Sequence, residues 1–177
     1  MNMSLSRTEN RRRSHAIPPW RWALLIIGFL VFLCVAFFVY VRSADSDYTA
    51  EERQAIRIAK TEAGLKEIDG TYKHVWEETV WVVAGTDEQG EKWMVWERAN
   101  EVVKEKLSGG YNENQIVSQF RLQHPGTNIV RILPGWFQNQ PAWEIRYVSD
   151  PETKRQAIDF YQFQSGKHLK TYDLPGK

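Results

Sequence analysis

Residues 128–172 read NIVRILPGWFQNQPAWEIRYVSDPETKRQAIDFYQFQSGKHLKTY. Asn128–Leu133 alternates as a strand, and Trp143, Ile145 and Tyr147 alternate with Glu144 and Arg146. Ala157–Phe163 reads as a third strand, after a turn at Asp150-Pro-Glu-Thr153. Gln164-Ser-Gly-Lys167 is a hairpin turn with glycine in the left-handed position, and Leu169–Tyr172 closes the set. Short strands joined by short turns pair antiparallel. Between the first two strands, Pro134-Gly-Trp-Phe-Gln-Asn-Gln-Pro141 reads as a proline-bounded loop with Trp136 and Phe137 at its tip.

Just upstream, Asn112-Glu-Asn-Gln115 has the residue types of a capping box. Ile116, Val117, Phe120 and Leu122 form the apolar side of a helix that Pro125-Gly126 must end. Ser108-Gly-Gly110 punctuates the chain before it. Glu101–Leu107 (EVVKEKL) has a helical composition, but Val103, Glu105 and Leu107 alternate, and a strand is the reading taken. Further back, Thr71–Ala84 is rich in β-branched and aromatic residues, Gly85–Gly90 is a turn, and Lys92–Trp96 is its partner strand. Thr49-Ala-Glu-Glu52 opens an earlier helix as a second capping box, with Ala55, Ile58, Ala59 and Glu62 at helical spacing and Gly64 as its stop. Helix and strands therefore occur twice, with the two caps 63 positions apart. The fold class is α+β, each unit curling an antiparallel sheet around one helix.

The outermost stretch is of a different kind. Trp22–Val41, WALLIIGFLVFLCVAFFVYV, carries no charge, and its 20 residues span roughly 30 Å as a helix. Arg7, Arg11–Arg13 and Arg21 precede it, while Asp45, Asp47, Glu51 and Glu52 follow. That asymmetry predicts a cytoplasmic N-terminus and an extracytoplasmic C-terminal part. The span is too long for a signal peptide, and Arg42-Ser-Ala44 is a poor cleavage site. The domains expected are a basic tail over 1–19, an anchor over 20–42, a first unit over 43–108 and a second over 109–177, with a polar linker at Ser43–Asp47.

Residues 1–42 carry a net +5 and residues 43–177 a net −4, which argues against nucleic acid as a partner outside the membrane. The single cysteine, Cys34, lies in the apolar span, so no disulfide supports the outer part.

In its second half the chain carries HPGTNIVRI, QPAWEIRYV and FQSGKHLKTYDL, and this half resembles the PepSY-type module of helix, Pro-Gly break, three strands and a closing glycine turn. From residue 20 to about 175 the organisation is similar to the TseB-like (YpmB-like) cell wall elongation regulators of Gram-positive bacteria. That resemblance implies two cystatin-like units outside the cell and association with a class B penicillin-binding transpeptidase of the elongation machinery. It carries over no catalytic residue.

The residues themselves point to little chemistry. His15, His74, His124 and His168 are scattered, none in an H-E-x-x-H arrangement, so no metal or other cofactor is expected. Ser108 and Ser165 sit in glycine-containing turns, and Glu77-Glu78 would point to opposite faces of a strand. Neither G-x-S-x-G nor S-x-x-K occurs. An enzyme is not expected. The leading expectation is a membrane-anchored interaction protein docking on a cell wall synthase. A PepSY-type peptidase-inhibiting module and a peptidoglycan or ligand sensor are the alternatives. Trp136, Phe137 and Trp81 are the candidate partner-binding residues, because aromatic rings without a core to fill anchor interfaces.

Overall fold

A computed structural model describes residues 19–176 of the chain. The basic tail expected over 1–19, Pro19 apart, lies outside the described residues. Helix α1 runs Pro19–Thr61 and contains Trp22–Tyr40, a stretch long and apolar enough to cross a membrane. The chain divides into a unit ending at Asp47 and one beginning at Tyr48. No linker breaks the helix at Ser43–Asp47, contrary to expectation. The segment Ser-Ala-Asp-Ser-Asp holds neither proline nor glycine, so nothing interrupts the i→i−4 ladder. Thr49 is consequently an interior helical residue rather than a cap.

Strands β1 (Glu67–Val75), β2 (Thr79–Thr86), β3 (Lys92–Glu97) and β4 (Val102–Lys106) form one antiparallel sheet in that order. A short 3₁₀ turn at Leu107–Gly109 leads to α2 (Glu113–Gln123). Then β5 (Ile129–Phe137), β6 (Gln140–Asp150), β7 (Arg155–Gln162) and β8 (His168–Asp173) form a second sheet, again in chain order. This is the α+β architecture predicted, with Val102–Lys106 of EVVKEKL as a strand. The cap of α2 also forms as read: Asn112 Oδ1 accepts from the Gln115 backbone N–H, and Gln115 Oε1 accepts from that of Asn112. Ile116 and Phe120 are buried, but Leu122 is 80% exposed and belongs to the solvent face.

Two strand boundaries differ from the sequence reading. Thr71–Ala84 is not one strand: the chain reverses at Trp76-Glu-Glu78, so β1 and β2 pair as a hairpin with Val75 opposite Thr79. Glu77 and Glu78 therefore lie in a turn and not across a strand. No glycine, proline or asparagine marks that turn. In the second sheet, β5 continues through Pro134 to Phe137, and the reversal is only Gln138-Asn139, both left-handed (φ 49° and 60°). Pro134 is tolerated because β5 lies at the sheet edge.

Packing follows the period of two. Trp81, Val83 and Val95 face α1, meeting Ala55, Ala59, Ala63 and Leu65. Val80, Val82, Met94 and Trp96 face the other way, into the main core with Ile116 and Phe120 of α2 and with Trp136, Trp143, Ile145, Tyr147 and Tyr161 of the second sheet. The first sheet is thus covered on both faces.

Candidate functional site

The expected aromatic tip does not form. Trp136 is 4% exposed and Phe137 fully buried. Because β5 extends to Phe137, its ring lies flat on Phe160 (4.1 Å between centroids, 8° between planes). Trp76, from the β1–β2 turn, lies 5.0 Å from both Phe160 and Tyr172, and Tyr172 meets Phe160 edge-on at 6.1 Å. Trp136 has the Arg98 guanidinium over its ring at 4.4 Å. Both rings are core. A two-residue turn leaves no loop length to carry them outward.

Trp81 is also largely buried, at 8% exposure, yet it lines a surface groove of about 510 Å³ between α1 and the ends of β1, β2 and β3. Glu51, Gln54 and Ile58 of α1 form one wall, and Lys73, Trp81 and Glu97 lie opposite. The tilted ring of Tyr48 lies 5.3 Å from Trp81. Lys73 Nζ bonds Glu51 Oε2 at 2.5 Å and faces both aromatic rings, at 5.9 Å from Tyr48 and 5.6 Å from Trp81. Arg98, also lining the groove, bonds Glu78 at 2.8 Å and pairs with Glu101.

Glu97 sits directly opposite Trp81 in the β2–β3 register and only 8% exposed. Its Oε1 has no hydrogen-bond donor. Burial, with Glu62 adding like charge, pushes its carboxyl up to about 7, against the one favourable influence of the Ala59 backbone. Sequence reasoning missed this residue. The signal was present: in Lys92-Trp-Met-Val-Trp-Glu97, alternation places Glu97 on the same face as Trp93 and Val95, under the helix.

Two other buried polar clusters are satisfied by protein groups. His74 Nδ1 accepts from the Trp136 backbone N–H at 3.4 Å, so its Nε2–H donates to Glu144 Oε2 at 3.1 Å, and Arg131 Nη2 donates to Glu144 Oε1 at 2.6 Å. Burial alone would raise the Glu144 carboxyl, but the bonds from His74 and Arg131 outweigh it and hold it below the usual range. Asp159, fully buried, accepts from Thr171 at 2.7 Å, His124 at 3.0 Å, and Tyr147 and Tyr161 at 3.3 Å each. Burial and then that charge push Tyr147 up to about 12. The histidines thus act as partners of buried carboxylates. Among the described residues, no group of three or more His, Cys, Asp or Glu could hold a metal ion.

Residues 54–96 match the family described as Cell wall elongation regulator TseB-like domain. A solved structure, the YpmB protein from Bacillus subtilis, is similar with a TM-score of 0.63 and 24% identity, over 70% of this chain and 97% of that one. No curated protein matches. The family match covers residues 54–96 alone, and the structural likeness shows the shared α+β fold. The matched stretch contains Gln54, Ala55 and Ile58 of the α1 wall and both strands of the β1–β2 hairpin, while Glu51 and Glu97 lie just outside it.

Proposed function

We propose that this chain is a non-catalytic, single-pass membrane protein that regulates cell wall elongation by docking on a class B penicillin-binding transpeptidase. The match of residues 54–96 to the TseB-like domain carries this reading. The apolar helix supports an anchor in the cell membrane. The arginines before it and the acidic residues after it support a cytoplasmic N-terminus and an extracytoplasmic C-terminal part. Anchoring raises the effective concentration of residues 48–176 beside other membrane proteins without any new contact. In this reading residues 43–108 and 109–177 are two structural units acting as one body. Trp81 is kept as a contact residue because it lines a surface groove, whereas Trp136 and Phe137 support the fold.

Crosslinking the full chain in living Gram-positive cells, followed by identification of captured membrane proteins, tests this function. Recovery of an elongation transpeptidase is the expected outcome. Recovery of none, with the chain present at normal abundance, overturns it.

A further inference from the structure

We propose that the groove beside Trp81 receives a lysine or arginine side chain of the partner polypeptide, with the Glu97 carboxylate as its acceptor. This inference rests on the docking reading above and specifies the chemistry of the contact.

The argument is one of unmatched charge. Two cations line the groove, and both are committed: Lys73 to Glu51 and the Tyr48 and Trp81 rings, Arg98 to Glu78, Glu101 and the Trp136 ring. Among the described residues, Glu97 is paired with nothing of opposite charge. It is more than nine-tenths buried, its Oε1 lacks a donor, and the charge that acts on it, Glu62, has the same sign. A buried carboxylate in that state carries an uncompensated desolvation cost. An incoming ammonium or guanidinium supplies both the missing donor and the counter-charge, and such charge-assisted bonds are among the stronger contacts proteins make. The fit is sterically reasonable: about 510 Å³ lies within the range of small-ligand pockets, and Ile58, Ala55 and the Trp81 ring offer apolar walls to an aliphatic stem. An acidic group entering instead would add like charge, and a neutral donor would supply a hydrogen bond without the counter-charge.

The test titrates the full chain, held in phosphatidylcholine nanodiscs, with a trilysine peptide and with its fully Nε-acetylated counterpart. Wild type should bind the first and not the second. Glu97→Gln should weaken trilysine binding by about tenfold or more, the loss of one charge-assisted bond. Glu62→Gln removes the same charge from an exposed residue in the turn just past the end of α1 and should change binding by no more than about threefold. Equal binding by Glu97→Gln, equal loss in Glu62→Gln, or binding of the acetylated peptide overturns the proposal. So does binding that disappears in phosphatidylethanolamine discs, which would assign the groove to an amine headgroup. In cells, equal capture of the transpeptidase by wild type and Glu97→Gln overturns this inference and leaves the function standing. No capture by wild type, with the titration as expected, does the reverse.

Discussion

Glu97 is the residue on which the site's electrostatics turn. Its unfolded value is the ordinary 4.5, and in the fold it holds its proton to about 7. Between those values the folded chain binds more protons than the unfolded one, so stability falls as pH rises through that window and stays lower above it. The penalty is on the order of 3 kcal/mol, large against the margin of a small domain. Replacing Glu97 with Gln keeps the shape and removes the titration. Melting of the full chain should therefore show Glu97→Gln more stable than wild type at pH 8, with the gap closing toward pH 5. A gap that does not vary with pH would contradict this. Glu144 is the opposite case. Equally buried, it is bonded by His74 and Arg131 and stays charged, and its contribution is lost only as pH falls through its lowered value. Gly135 is tied to the same cluster: a Cβ there would lie 2.4 Å from the His74 ring, which is fixed by its bonds to Glu144 and the Trp136 backbone.

Among the elements, the β5–β6 hairpin changed most between sequence and structure. Pro134 and Pro141 suggested an eight-residue loop, yet the ladder pairs Phe137 with Gln140 and leaves only Gln138-Asn139 to turn. Both residues have positive φ, the type I′ requirement, and glutamine meets it poorly. Replacing Gln138-Asn139 with Asn-Gly should stabilise the chain by about 0.5–1 kcal/mol, read from the denaturation midpoint at unchanged slope. Loss of stability would mean the turn is not of this type. The turn at Trp76-Glu-Glu78 was missed because no residue type there signals one, and only the return pairing of β2 on β1 reveals it. The cap of α2 was legible because its donors and acceptors lie within four consecutive residues.

Taken whole, residues 48–176 share a main core to which both sheets contribute, which makes the buried rings common property. Phe137→Ala should cost about 3–5 kcal/mol, because it empties the stack on Phe160 that Trp76 and Tyr172 surround. It should lower a single unfolding transition that near-UV circular dichroism and tryptophan fluorescence report together. A nearly unchanged melt would return that ring to the surface. Several features were fixed by local chemistry in the sequence: the apolar span, the α+β order of elements, the strand EVVKEKL, the Asn112 cap, and the alternation that sorts each strand into two faces. These depend on neighbours within a few positions. Which face meets which partner was decided only in three dimensions. Trp81 under α1, Phe137 on Phe160, and His74 on Glu144 across 70 positions depend on how separate elements dock. Periodicity states that a face is apolar, and the second sheet and helices decide what covers it.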